Sequence, residues 1–276
     1  MLPRMEDNPQ AVEAITKSVL ASRKYRSISR SLIEEVARRE LPRRRSLQEA
    51  TKATRSKLHQ IAGAFIEEQP PYAKWLAELE AAKEAGEPAL MEACRRIMQH
   101  HSSARERVSS LPDFYTILFD RIGPIGSILD IACGLNPLSI PWMPITRETE
   151  YFAVDIYSDL TTFLDSFLHI VQQPSAASQH NVLGSVPDIE VDVVLVLKTI
   201  PCLEQVDPAV GRRLLEGLKA RVILVSFPAR SLGGRNRGMV ENYSAHFAGL
   251  VQGHDWKIER FLFPTELVFR VTKGGG

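Results

Sequence analysis

Hydrophobic residues recur at helical spacing through the first hundred residues of the chain. They lie three or four positions apart, with arginines and lysines between them, at Ala14, Val19, Leu20, Leu32, Ile33, Val36, Ala37, Leu58, Ile61, Ala62 and Phe65. Pro70-Pro71 interrupts this pattern, which resumes from Tyr72 to Lys83 and, after a turn at Gly86 and Pro88, from Ala89 to Gln99. The pattern predicts a bundle of four or five helices between Ala11 and His101.

After about residue 110 the pattern changes to short, apolar, β-branched runs, which are typical of buried parallel strands. These runs cover residues 127–132, 150–154, 191–197 and 222–227, and helical stretches at 159–172 and 208–218 lie between them. Residues 257–263 and 266–272 are joined only by Pro264-Thr265, which indicates a hairpin. The fold class predicted here is α/β, a doubly wound sheet that ends in an antiparallel hairpin.

We expect a helical domain over residues 1–108, an α/β domain over 109–273 and a glycine tail at 274–276. Positive charge is concentrated at one end, because residues 1–60 hold 14 Lys and Arg against 7 Asp and Glu. The rest of the chain holds 20 against 26, so the overall net charge is only +1. This asymmetry suits a basic module that docks on a polyanion, although an ordinary solvated helix surface explains the charge equally well.

The sequence also argues against several classes of protein. Cys94, Cys133 and Cys202 are too few and too scattered for a disulfide framework, and their spacing does not suggest a zinc site. No apolar run approaches the length of about 18 residues that a membrane span needs, and the first residues lack the design of a signal peptide. We therefore expect a soluble cytoplasmic protein with reduced cysteines and no metal.

The first predicted strand runs into Asp130-Ile-Ala-Cys-Gly134-Leu-Asn-Pro137, where Gly134 lets the backbone approach a ligand. A pyrophosphate-binding fingerprint would need glycines at positions 136 and 139, which are Asn and Ser. The second strand ends at Asp155, 21 residues after Gly134, where a carboxylate suits both ribose hydroxyls. A phosphate-free adenosine fits this pattern, and S-adenosylmethionine is the common ligand of that description. The sheet is therefore predicted to be a class I Rossmann-like methyltransferase sheet.

Each of these acids has a second interpretation. Asp155 could cap the following helix, and Asp130 either orients the glycine turn or contacts the methionine moiety. Asn181-Val182 falls where a third strand is expected to end, a position that often contacts adenine.

Several longer segments make the assignment more specific. They are residues 101–107 (HSSARER), residues 130–137 with Trp142, residues 197–204 (LKTIPCLE), Ser226-Phe-Pro228, Ser231-Leu-Gly233 and residues 238–244 (GMVENYS). In these segments the chain resembles the aminoglycoside-resistance 16S rRNA methyltransferases that act on N7 of guanine 1405. The resemblance covers nearly the whole chain, but the basic N-terminal part matches in character and only in short pieces.

The resemblance implies a set of residues around S-adenosylmethionine. Arg107 would pair with the methionine carboxylate and Asp155 would bind the ribose, while Phe65 covers the adenine or belongs to the core. The full set is Phe65, His101, Ser102, Ser103, Arg107, Ala132, Gly134, Asp155, Asn181, Val182 and Leu197.

The resemblance further implies that the assembled 30S subunit is the substrate and that its 16S rRNA is the partner. Guanine N7 already carries a lone pair, so we expect no catalytic base, and alignment supplies the rate. Lys198 and Met239 are candidates for placing an extruded base. The candidates for gripping RNA are Lys17, Arg23, Lys24, Arg26, Arg43, Arg44, Arg45, Lys52, Arg55, Lys57, Arg235 and Arg237.

Three alternatives remain open on the sequence alone. A small-molecule methyltransferase would share the cofactor pocket but would leave the basic helices without a role. A non-catalytic RNA-binding protein with a decayed sheet would not need Gly134 and Asp155. Methylation of another rRNA base, such as adenine at N1, is a closer competitor.

Overall fold

The chain folds into helices that surround one mixed sheet. The computed structural model describes residues 8–63, 70–229 and 238–274. Among these residues, no helix is long and apolar enough to cross a membrane. The α-helices are α1 Pro9–Leu20, α2 Arg30–Glu40, α3 Leu47–Leu58, α4 Tyr72–Glu84, α5 Glu87–Met98, α6 Ser102–Arg107, α7 Leu111–Phe119, α8 Ser158–Ile170, α9 Ile200–Leu203, α10 Val210–Gly217 and α11 Met239–Val251.

Seven strands form the sheet, and their spatial order is β3-β2-β1-β4-β5-β7-β6. Five are mutually parallel, and β7 runs antiparallel to both β5 and β6. The strands are β1 Ser127–Ile131, β2 Glu150–Asp155, β3 Ser175–Gln179, β4 Glu190–Leu197, β5 Lys219–Pro228, β6 Trp256–Leu262 and β7 Glu266–Lys273. The strand order reverses at β1 and β4, and ligands of such sheets bind beyond the carboxyl ends of the strands at this point.

The predicted α/β sheet and its terminal hairpin are confirmed, and strand boundaries differ from the predictions by three residues at most. The pattern of apolar residues did not mark β3, since Ser175–Gln179 holds serine, alanine and glutamine at a half-exposed edge of the sheet. The predicted helical stripe that begins at Leu58 does not continue as a regular α-helix. Helix α3 stops at Leu58, and a π turn follows over His59–Gly63.

The hydrophobic core has three parts. Helices α4, α5, α7 and α8 pack with one face of the sheet, and α10 and α11 pack on the other. A separate cluster lies among α1, α2 and α3 and includes Ile15, Ile33 and Val36, none of which is exposed. The predicted division at residue 108 stays a prediction, but the packing shows that α4 and α5 share their core with the sheet.

A short segment fixes α1, α2 and α3 to the end of β2. The Ser29 N–H donates to the Ile156 carbonyl at 2.7 Å, and the Ser158 N–H donates to the Ser27 carbonyl at 2.8 Å. The amide of Gln179 donates to the carbonyls of both Ser27 and Ile156. We call Ser27–Ser29 the N-terminal latch. It holds the basic helices against the residues that directly follow Asp155.

A buried ion pair connects α6 to β7. Arg107 donates from Nε and Nη2 to both carboxylate oxygens of Glu266, at 3.1 and 2.7 Å, and both side chains are at most 2% exposed. Burial alone raises the pKa of Glu266, but the charges of Arg107 and Lys198 outweigh this effect and hold the pKa below its usual value. The two-pronged geometry suits a guanidinium and a carboxylate in a buried site.

We expect Glu266→Gln to lower the free energy of unfolding by about 3 to 5 kcal/mol, because it leaves a buried arginine without its counter-charge. Glu78→Gln on α4 is a matched control. Its carboxylate also binds an arginine, Arg96, through two hydrogen bonds, at 2.7 and 3.0 Å, but the Arg96 side chain is 53% exposed, so the expected loss is about 1 kcal/mol. Urea titration measures both losses.

The same pair predicts a pH dependence. Since the pKa of Glu266 is lower in the folded state, its stabilisation is present above the unfolded value of about 4.3 and is lost as the pH falls through the folded value. The Glu266→Gln variant should lack this part of the acid transition. Equal losses for the two glutamate variants at pH 7 would contradict the assignment.

Candidate functional site

The turn after β1 approaches the ring of a histidine. Gly134 has a φ of 51°, and a Cβ added there would lie 2.7 Å from Nε2 of His101. Ala132, two residues earlier, also takes a positive φ of 49°. Burial, together with the nearby Arg107 and Lys198, lowers the pKa of His101 to about 4, so the ring is neutral at physiological pH. A side chain at position 134 would displace this ring.

Asp155 ends β2 and accepts hydrogen bonds from the backbone on both sides of the cleft. Its Oδ2 accepts the Gly134 N–H at 2.9 Å, and its Oδ1 accepts the N–H groups of Ile156 and Tyr157. Burial raises the pKa of Asp155, and these hydrogen bonds oppose that rise. Helix α8 starts only at Ser158, with Tyr157 at its N-cap, so Asp155 is not the cap residue of that helix.

Asn136 is the centre of a buried polar network at the start of a 3₁₀ segment. Its Oδ1 accepts from Arg107 Nη1 at 2.7 Å and from the Tyr115 hydroxyl at 2.6 Å, and its Nδ2 donates to Asp130 Oδ2 at 2.9 Å. The Tyr151 hydroxyl also donates to Asp130 Oδ2. Burial raises the pKa of Asp130 to about 6 against these hydrogen bonds. Among the described residues, no donor reaches Asp130 Oδ1.

These groups line one cleft at the carboxyl ends of the strands, with an empty volume of about 1040 Å³ that includes its open mouth. Of the predicted cofactor set, nine residues line it: His101, Ser103, Arg107, Ala132, Gly134, Asp155, Asn181, Val182 and Leu197. Ser102 begins α6 beside the cleft but is not among the lining residues, and Phe65 lies outside the described residues. In the described parts of the chain, no group of three or more His, Cys, Asp and Glu is placed to hold a metal ion.

The structure modifies the predicted cofactor contacts of Arg107 and of Asn181 with Val182. Three of the five N–H donors of Arg107 already bind Glu266 and Asn136, so one N–H on each terminal nitrogen is left for a ligand. Asn181 and Val182 lie two and three residues beyond the end of β3, which stops at Gln179. Their roles, like that of Arg107, stay predictions.

Ten of the twelve basic residues predicted to grip RNA lie on or between α1, α2 and α3, and they differ in how many contacts hold their side chains. Arg44 donates to Glu40 at 2.5 Å and Arg55 donates to the Ser18 carbonyl at 2.7 Å. Lys17 pairs with Glu13 but is 73% exposed, and Arg43 is 68% exposed. Lys57 is half-buried, while the side chains of Arg23, Lys24, Arg26, Arg45 and Lys52 are exposed.

The two candidates for placing the base lie in the cleft wall and at the start of a helix. Lys198 lines the cleft at the end of β4, with a φ of 57° and its Nζ 2.5 Å from Glu106 Oε2. Met239 is the first residue of α11. Arg235, Arg237 and Ser231-Leu-Gly233 lie outside the described residues.

Several residues of the cleft were not predicted from the sequence. Leu32 of α2 and Ile61 of the π turn line it from the N-terminal side, and Tyr157 and Leu160 line it from the start of α8. The helical pattern had identified Leu32 and Ile61 only as core positions. Tyr157 follows Asp155 by two residues, and this proximity was the available signal.

The comparisons agree with this geometry. The family profile described as "Ribosomal RNA methyltransferase (FmrO)" matches residues 21–270. A 16S rRNA (guanine(1405)-N(7))-methyltransferase from Micromonospora echinospora is 35% identical over 95% of this chain and 97% of its own. A 16S rRNA (guanine(1405)-N(7))-methyltransferase from Serratia marcescens is 31% identical over 95% of this chain and 98% of the relative. The crystal structure of the 16S rRNA methyltransferase RmtF in complex with S-adenosyl-L-homocysteine has a TM-score of 0.82 at 27% identity, and covers 97% of this chain and 100% of its own.

A second solved structure, that of the 16S rRNA methylase RmtB, has a TM-score of 0.78 at 26% identity and covers 97% of this chain and all of its own. The profile spans most of the chain, and the relatives align from end to end. The chain therefore belongs to the ribosomal RNA methyltransferase (FmrO) family.

Proposed function

We propose that this protein transfers the methyl group of S-adenosylmethionine to N7 of guanine 1405 in the 16S rRNA of the assembled 30S subunit. The observation that carries the proposal is the cleft, in which the Gly134 turn and the Asp155 carboxylate meet at the point where the strand order reverses. Relatives of nearly equal length are named for this reaction. Since ribosomes are its substrate, we place its action in the cytoplasm.

The residues of the cleft fit S-adenosylmethionine. The carboxylate of Asp155 keeps one acceptor position, on Oδ2, for a ribose hydroxyl, because an ionised carboxylate accepts about four hydrogen bonds and three are used here. Asp130 Oδ1, buried and without a donor among the described residues, suits the cofactor's amino group. The two remaining Arg107 donors suit its carboxylate. When bound, the cofactor supplies an electrophilic methyl on a sulfonium.

The chemistry asks little of the protein beyond alignment. Guanine N7 carries an exposed lone pair, so no proton needs to be removed before attack. Holding the two reactants in line lowers the activation barrier by roughly 7 to 11 kcal/mol. N7 faces the deep major groove of an A-form helix, so we expect the base to be extruded into the cleft beside Lys198. The neutral His101 is not required as a base.

The product explains antibiotic resistance. Methylation at N7 leaves the guanine ring cationic, and aminoglycosides are polyamines that bind beside it. Charge repulsion and bulk then exclude the drug. Because the target lies in folded ribosome structure, we propose that the assembled 30S subunit is the substrate and that the basic surface of α1, α2 and α3 docks on it.

The decisive experiment incubates the protein with labelled S-adenosylmethionine and unmethylated 30S subunits, then maps the modified base. We expect label in 16S rRNA, strand cleavage at position 1405 after reduction and aniline treatment, and little label in naked 16S rRNA. A reverse-transcription stop at an adenine without cleavage at 1405 would favour methylation of adenine N1 instead. In a parallel incubation with a metabolite extract, label in the extract without label in 16S rRNA would favour a small-molecule methyltransferase.

We expect Asp155→Ala to abolish measurable cofactor binding, and Asp155→Asn to weaken it by at least about tenfold, since a charge-assisted hydrogen bond contributes about 1.5 to 3 kcal/mol. Isothermal titration calorimetry with S-adenosylmethionine measures both. The control is Asp188→Asn, whose carboxylate is 84% exposed on the surface. Circular dichroism checks that the variants fold, and unchanged affinity in a folded Asp155→Asn protein would contradict the assignment.

We expect the double charge reversal Arg43→Glu with Arg45→Glu to weaken 30S binding by at least about tenfold and to flatten its salt dependence, while cofactor affinity stays unchanged. Arg44 is left intact because it holds the buried Glu40. The control is Arg121→Glu with Lys257→Glu, an equal change of charge at side chains that are 87% and 71% exposed. Equal 30S affinities for the two double variants would show that the basic helices do not dock.

A further inference from the structure

Four charged side chains on α6, on β7 and just after β4 alternate in sign. Arg107 and Lys198 line the cleft, whereas Glu106 and Glu266 are not among its lining residues. Arg107 pairs with Glu266, Lys198 Nζ lies 3.6 Å from Glu266 Oε2, and the same Nζ lies 2.5 Å from Glu106 Oε2. Two cations and two anions balance, so the group carries no net charge. We call these four residues the charge row, for their order in space.

Only one end of the charge row reaches solvent. The side chains of Arg107, Glu266 and Lys198 are 2%, 1% and 7% exposed, whereas that of Glu106 is 26% exposed. The Lys198 backbone is itself fixed, because its N–H donates to Ser226 at both the carbonyl and the hydroxyl oxygen. The charge row therefore ends in a carboxylate that binds Lys198 through Oε2 and whose side chain is partly exposed.

Glu106 has hydrogen-bonding capacity to spare. Lys198 occupies one position on Oε2, and within residues 8–63, 70–229 and 238–274 no donor lies at Oε1. A carboxylate accepts about four hydrogen bonds, so several remain for a ligand that brings N–H groups. The backbone carbonyl of Glu106 accepts from the Thr265 hydroxyl, which fixes this residue against the β6–β7 turn.

We propose that Glu106 reads the Watson–Crick edge of the extruded guanine and makes the enzyme selective for guanine; this inference rests on the proposed function. Guanine presents two adjacent donors on that edge, N1–H and the exocyclic N2–H, and a carboxylate accepts both. Adenine presents an acceptor at N1 and has no amino group at C2, so it would leave the carboxylate unsatisfied. Enzymes that act on flipped bases read them at this edge.

The cofactor is a weaker candidate for Glu106. Asp130 is the better acceptor for its amino group, because Asp130 lines the cleft and its Oδ1 has no donor among the described residues. Glu106 is not among the lining residues and contacts the cleft only through Lys198, just after the end of β4. In this arrangement Asp130 serves the methyl donor and Glu106 serves the acceptor base.

The test compares 30S subunits reconstituted with guanine or inosine at position 1405. Inosine keeps N7 and N1–H but lacks the amino group at C2. We expect the wild-type protein to prefer guanine by about tenfold or more in kcat/KM, the size of one charge-assisted hydrogen bond. Glu106→Gln should show a smaller preference, and Glu106→Ala a preference below about threefold. Glu78→Ala, which removes a carboxylate of similar exposure on α4, should keep the wild-type ratio.

The outcomes separate the possible failures. A merely structural Glu106 would slow both substrates equally, so an unchanged guanine-to-inosine ratio in folded Glu106→Ala overturns the inference. A loss of S-adenosylmethionine affinity in Glu106→Gln, measured by calorimetry, would assign the residue to the cofactor and also overturn it. Absence of any methylation at position 1405 by the wild-type protein would instead refute the proposed function.

Discussion

The structure depends on the buried pair of Arg107 and Glu266. These residues are 159 positions apart, and their two hydrogen bonds connect α6, which precedes the sheet, with the final strand β7. A buried pair of this kind contributes little net stability compared with apolar packing, but removal of either partner is costly. The pair instead positions the side chains around it. Asn136 and Lys198 are both held through it, and both line the cleft.

The ligand preference of the cleft depends on which carboxylates still have free hydrogen-bond acceptor positions. Asp155 is oriented by three backbone N–H groups, and Asp130 by one amide and one hydroxyl. Within the described parts of the chain, neither carboxylate has a hydrogen bond from a basic side chain. Glu106 shares a lysine and is the only partly exposed member of its group. Burial raises the pKa of Asp130 and Asp155, so each gains from a ligand that brings donors or positive charge.

Much of this arrangement was predictable from sequence, for identifiable reasons. Gly134 and Asp155 follow strands whose apolar runs are unmistakable, so their meeting at one edge of the sheet follows from topology. The role of Asn136 was missed because the sequence shows only that it replaces a glycine, whereas its partners Arg107 and Tyr115 are distant in sequence. The apolar pattern did not mark strand β3, because an edge strand needs no apolar run. The strand was expected to end at Asn181-Val182, and it ends two residues earlier, at Gln179. Leu32 and Ile61 reach the cleft through tertiary packing that no local pattern records.

The N-terminal latch has a consequence for target selection. Ser27–Ser29 is bonded to the residues that follow Asp155, so the basic helices have a fixed distance and direction relative to the methyl-transfer point. Such an enzyme selects its nucleotide partly by the distance between its docking surface and its methyl-transfer site. In the docking proposed above, the site at which the helices contact folded RNA determines which base is within reach, so a chemically identical guanine elsewhere on the ribosome would be spared because of where it lies.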